Sequence, residues 1–132
     1  MQSIINKMKT VLHSNNEKLF QSVCYTFGRI VSEPNTKAKV IKSIYESLEL
    51  IIYEKVVQMK KISHISAGMS VNMNLLLNGL CKCALRYPDI SARCKVCLTN
   101  VIKSKKGSKY GQYALQLYNT LKYPNIASNI LL

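Results

Sequence analysis

Two stretches of this sequence repeat each other: Leu85-Arg86-Tyr87-Pro88-Asp89-Ile90-Ser91-Ala92 and Leu121-Lys122-Tyr123-Pro124-Asn125-Ile126-Ala127-Ser128. Matched position for position, they give leucine, a cation, Tyr-Pro, Asp or Asn, isoleucine and two small residues. The prolines stand 36 residues apart, a period that helical-repeat arrays use. Proline lacks the amide a helix interior needs but fits the first helical turn, so each stretch reads as a helix end, a corner and a new helix start. The fold this predicts is all-α, an α-solenoid of antiparallel helix pairs of the HEAT, armadillo or TPR kind, with about six or seven helices and corners at Pro34, Pro88 and Pro124. Such an array offers a surface rather than a reaction centre.

Apolar spacing places the helices. Gln2 to His13 sets Ile4, Ile5, Met8, Val11 and Leu12 on one stripe, ended by Ser14-Asn15-Asn16. Glu17 to Ser32 aligns Leu19, Phe20, Val23, Phe27, Ile30 and Val31, with Asn15 or Asn16 as cap. Gly28 lies inside that pattern at a cost of about 1 kcal/mol against alanine, which points to a close helix crossing. After Glu33-Pro34-Asn35-Thr36, a helix beginning near Lys37 carries Ala38, Ile41, Ile44, Tyr45, Leu48, Ile52, Tyr53, Val56 and Met59. Leu50-Ile51-Ile52-Tyr53 alone would suit a strand, but the long flanking periodicity decides for helix. Ser63 to Ser70, with Gly68, reads as a loop, and Asn72 to Tyr87 as a helix turning Met73, Leu76, Leu77, Leu80, Ala84 and Tyr87 inward.

Beyond Pro88, the residues Ile90, Cys94, Cys97, Leu98 and Val101 match a buried helical stripe. Lys103-Ser104-Lys105-Lys106-Gly107-Ser108-Lys109 is a basic connection, and Ser108 caps a last full helix in which Tyr110, Tyr113, Ala114, Leu117, Tyr118 and Leu121 recur. The second corner opens a helix from Ile126 to Leu132, whose uncapped apolar end reads as continuation of the array or as fraying. The expected core includes Phe27, Ile44, Leu48, Leu80, Ala84, Cys97, Leu98, Leu117 and Leu121.

At 132 residues with a hydrophobic share of 48%, a core is attainable without disulfide or metal. The net charge of +13 favours nucleic acid, anionic lipid headgroups or an acidic protein partner. Abundant Lys, Asn, Ile, Tyr and Ser would also follow from AT-rich coding, which leaves the scarcity of Asp and Glu unexplained. Asn6, Lys7 and Lys9 interrupt the apolar residues near Met1, and no apolar run approaches the roughly 18 residues that span a bilayer. The expected location is cytoplasmic or nuclear, with the five cysteines reduced.

The chemistry-bearing residues form no catalytic pattern. Cys81 and Cys83 point about 200° apart on a helix, while Cys94 and Cys97 share a face, so core thiols are favoured over a zinc or redox role. His13 and His64 lack a spaced partner. Asp89 suits the first turn after Pro88, and Glu46, Glu49 and Glu54 read as a solvated face interleaved with lysines. Gly107-Ser108-Lys109 lacks the spaced glycine of a phosphate loop. The expectation is therefore no enzyme, no cofactor and no metal. Lys103, Lys105, Lys106 and Lys109 remain as candidates for contact with an anionic surface, against the plainer reading of a soluble connector. Tyrosines could stack on bases, yet Tyr87, Tyr113, Tyr118 and Tyr123 share the leucine spacing, and packing explains them.

The residues from Leu85 to Leu98, followed by Gln112 to Ala127, resemble the C-terminal end of an adaptin-type large subunit, and within that class the zeta subunits of the fifth adaptor-protein complex. The resemblance implies a single helical-repeat domain over residues 1–132, equivalent to the C-terminal part of a longer subunit. It also implies a non-enzymatic interaction scaffold in endosomal vesicle-mediated protein transport, with other coat subunits as partners, peripheral contact with endosomal membranes and no cofactor. The alternative is a basic helical-repeat protein that binds RNA or DNA, which the net charge alone supports.

Overall fold

In the computed structural model, which describes residues 2–14, 16–104 and 108–123, three of the helices start on a side-chain cap from the residue before them. Asn16 Oδ1 accepts from the Leu19 amide at 3.1 Å, Ser66 Oγ from the Met69 amide at 3.2 Å and Ser108 Oγ from the Gly111 amide at 3.1 Å. Each satisfies an amide that the first turn leaves without a helical partner. The elements are α1 (Gln2–Val11), α2 (Glu17–Ser32), α3 (Ala38–Lys60), α4 (Ala67–Arg86), a 3-10 turn at Pro88–Ile90, α5 (Ser91–Ser104) and α6 (Lys109–Lys122). Among the described residues there are six α-helices and no strand.

The repeated Tyr-Pro stretch is also a geometric repeat. Tyr87 closes α4 at φ −131°, ψ 86°, and Tyr123 closes α6 at φ −129°, ψ 77°. Each donates its amide to the carbonyl four residues back, Cys83 or Asn119, at 2.8 Å. The following proline excludes helical ψ from its predecessor, so both helices stop at the same residue type for the same reason. Pro34 lies in the turn between α2 and α3. Pro124 and the helix expected from Ile126 to Leu132 lie outside the described residues, as does Asn15.

The helices stack as two rows. Along the odd row α1 meets α3 and α3 meets α5; along the even row α2 meets α4 and α4 meets α6; α1 with α2, α3 with α4 and α5 with α6 join the rows. That is an α-solenoid of antiparallel pairs, as the sequence predicts. α4 touches α2, α3, α5 and α6, and it is buried almost all round, from Met73 through Leu75, Leu76, Leu77 and Leu80 to Cys81, Cys83 and Ala84. A helix apolar on every face belongs at the centre. All nine expected core residues are buried.

Several local expectations are corrected. α4 begins at Ala67, inside the segment from Ser63 to Ser70 read as loop, because the Ser66 cap starts a helix that Gly68 and Ser70 do not interrupt. Ile4, Leu19 and Ala38 face solvent, since the neighbouring helices cover a narrower stripe than the apolar residues offer. The close crossing also belongs to a different glycine. A Cβ on Gly28 would meet Lys82 Nζ at an ordinary 3.6 Å, whereas one on Gly79 would lie 3.1 Å from Leu48 Cδ1. Gly79→Ala is therefore expected to lose about 1 kcal/mol through overpacking against buried Leu48. Gly28→Ala should gain about 0.5 to 1 kcal/mol from helix propensity. Urea titrations of the two variants check the opposite signs.

Candidate interaction surface

The basic connection between α5 and α6 is built on two helix ends. Lys103 is exposed in the last turn of α5 and Lys109 is exposed at the first residue of α6. Lys105 and Lys106 lie outside the described residues. Lys103 lines a groove of about 300 Å³ between the C-terminal ends of α3 and α5, together with Lys60, Tyr53, Val57 and Asn100. Asn100 Nδ2 donates to Tyr53 Oη at 3.3 Å across that groove. It thus brings Lys103 beside Lys60, which the sequence does not connect. A lysine in the last turn of a helix also sits favourably against the helix dipole, so Lys103 has a structural reason to be there besides any ligand.

One polar group of the interior was missed by the sequence reading. Glu49 is not on a solvated face: it is 9% exposed in the interface of α3 with α5. Tyr45 Oη donates to Glu49 Oε2 at 2.6 Å, and Arg93 of α5 donates from Nη2 to Oε1 at 2.6 Å and from Nε to both oxygens at 3.1 Å. The Arg93 guanidinium also lies 5.2 Å from the Tyr45 ring centroid. Burial, followed by the bond to Glu49, raises the Tyr45 phenol well above the ordinary tyrosine range. The arrangement adds a charge-assisted fork to the contact of α3 with α5.

Arg93→Ala should cost about 2 kcal/mol in a urea titration, because it leaves a nearly buried carboxylate with a single donor. Adding Glu49→Gln should recover most of that loss, since the charge is then gone. Equal stabilities for wild type and Arg93→Ala would show that the fork contributes nothing.

The thiols of Cys24, Cys81, Cys83, Cys94 and Cys97 are all buried and free. Among the described residues no three His, Cys, Asp or Glu side chains converge as metal ligands would. Burial pushes Cys24, Cys81, Cys83 and Cys97 up to about 12, and it raises Cys94 further, with the neighbouring Cys81, Cys97 and Cys83 adding to the shift. Such thiols are inert packing groups.

His13 does find an acid, Glu54 Oε2 at 3.6 Å, although both are exposed. Tyr87, Tyr113 and Tyr118 pack half-buried against the core. Tyr123 departs from that pattern: it is 56% exposed, with the Lys122 ammonium 5.6 Å from its ring centroid. No helix of the described residues is long and apolar enough to cross a membrane.

Residues 2–132 match a family model described as AP-5 complex subunit zeta-1, C-terminal TPR repeats. No curated protein and no solved structure matches the chain.

Proposed function

We infer function from kinship: the chain belongs to the family of C-terminal TPR repeats of AP-5 complex subunit zeta-1. It is a helical-repeat scaffold of the adaptor-subunit type. We propose that it works without catalysis in endosomal vesicle-mediated protein transport, by holding other subunits of the adaptor complex at a cytoplasmic membrane face. The family match over residues 2–132 carries this reading. The two-row array supports it, because stacked helix pairs create extended surfaces suited to protein partners. The single-domain extent over residues 1–132, equivalent to part of a longer subunit, belongs to the same proposal.

Affinity purification of the tagged protein from cells tests it. Recovery of other adaptor subunits with endosomal proteins is the expected result. Recovery of nuclease-sensitive ribonucleoprotein, with a nucleic-acid affinity that falls steeply as salt rises, would replace it by the nucleic-acid reading.

The proposal extends to Lys103, Lys105, Lys106 and Lys109 as a contact with anionic lipid headgroups. Lysines near an anionic surface contribute about 1 kcal/mol each. Changing all four to glutamine should weaken sedimentation with phosphatidylserine vesicles at least tenfold, while stability stays within about 0.5 kcal/mol, as for other surface substitutions. Unchanged sedimentation at low salt would leave the loop a plain connector.

A further inference from the structure

On the even row, α2 and α4 run side by side and leave a groove of about 370 Å³, lined in part by Tyr25, Gly28, Arg29, Leu75, Asn78 and Lys82. Its floor is where Lys82 of α4 approaches Gly28 of α2. Lys82 is half-buried, and its Cδ and Nζ lie 4.0 and 3.6 Å from where a Cβ on Gly28 would stand. The lysine stem thus lies flat across α2 at the one residue there with no side chain. The ammonium lies close along α2, at a distance that would still accommodate a Cβ on Gly28.

No carboxylate of the described residues is within ion-pair distance of that ammonium; the ion pairs formed are His13 with Glu54 and Arg93 with Glu49. The acid among the lining residues, Glu33, is exposed at the C-terminal end of α2. Its neighbour Arg86 is engaged, donating from Nη2 to the backbone carbonyls of Glu33 and Pro34. Arg29 is exposed on the rim, and the Tyr25 ring stands 60% exposed beside it. Cys24 and Leu75 add buried apolar surface to the lining.

We propose that the α2–α4 groove is a docking site for a short acidic peptide segment of a partner protein, one carboxylate meeting Lys82 and Arg29 while a neighbouring apolar side chain packs on Leu75 and Cys24. Charge complementarity selects the occupant: the groove presents two cations in an apolar valley, in a chain of net charge +13. Shape separates it from a lipid surface. An ammonium lying against a helix backbone between two helices is reached by a single inserted side chain, whereas a flat array of headgroups meets protruding lysines such as Lys103 and Lys109. An aromatic rim with an arginine is also the composition in which binding energy concentrates at protein interfaces. The proposal rests on the scaffold reading and names the chemistry of one of its partners.

The test uses the full chain and a fluorescein-labelled peptide carrying one leucine in a run of Asp and Glu, compared with the same peptide bearing Asn and Gln in place of the acids. Anisotropy should report saturable binding of the acidic peptide and at least tenfold weaker binding of the amide version. Amide NMR shifts should centre on Tyr25, Gly28 and Lys82. Lys82→Glu should weaken binding at least tenfold, and Arg29→Gln, on the exposed rim, should weaken it severalfold with the melting temperature lowered by no more than a few degrees from the lost helix-dipole contact. Equal binding of both peptides, shifts centred on Lys103 and Lys109, or equal displacement by phosphatidylserine vesicles or inorganic phosphate would overturn the site. Co-purification keeps the two proposals apart. Adaptor subunits recovered while the peptide fails to bind would sink the groove alone, and peptide binding without adaptor subunits would sink the scaffold assignment and leave the groove standing.

Discussion

Leu98→Asp is expected to lower stability by about 4 to 5 kcal/mol, a loss that would leave much of the chain unfolded at room temperature. Leu98 is fully buried in α5, on the stripe with Cys94, Cys97 and Val101. A leucine removed there forfeits its transfer free energy and leaves space that the surrounding helices fill only partly. Aspartate adds the larger penalty, since an isolated carboxylate among apolar groups must be desolvated or protonated to fold. The control lies on the same helix: Val96, 59% exposed, should accept aspartate within about 0.5 kcal/mol. Urea titrations of the two variants give the comparison. Similar losses at both positions would contradict the assigned face of α5.

The stripe that makes this prediction is legible in the sequence alone, and the reason is local. Ile90, Cys94, Cys97, Leu98 and Val101 encode a helix face through spacing alone, and the Tyr-Pro corners encode helix ends through the geometry proline imposes on its predecessor. The array class follows from those two features repeated. What was not legible depends on residues far apart in the chain. Glu49 reads as one more acid among lysines until α5 brings Arg93 to it from 44 positions away. The groove on α2 was equally hidden, because Gly28 gave its helical cost in the sequence while the Lys82 stem that lies along it comes from α4. The start of α4 failed for a third reason. Gly68 and Ser70 are weak helix formers, but one serine cap and contact with four helices outweigh propensity.

Alkaline pH should unfold this protein early, and the cause is its buried thiols. A thiol ionises near 9.0 when solvated, while burial pushes Cys24, Cys81, Cys83 and Cys97 up to about 12 in the fold. Above pH 9 the unfolded chain therefore releases protons that the folded chain retains, and stability falls with pH at roughly 1.4 kcal/mol per unit for each such thiol. Well below pH 9 both states hold the protons, and the slope vanishes by about pH 8; at pH 9 the unfolded thiols are half ionised, so the four together already cost on the order of 1.5 kcal/mol. At pH 10 their combined effect is a loss on the order of 5 kcal/mol, comparable to the whole stability of many small domains. Cys94, raised further, adds in the same direction, and Tyr113, raised to about 12 by burial, joins above pH 10. Urea midpoints measured under reductant at pH 7, 8, 9 and 10 should stay level over the first interval, begin to fall over the second and drop most steeply over the last. Cys81→Ala should flatten that drop by about a fifth, because alanine has no proton to lose while the other four thiols remain. A midpoint unchanged at pH 10 would mean that these sulfurs meet solvent in the folded protein, and the packing of α4 against α5 would then be wrong.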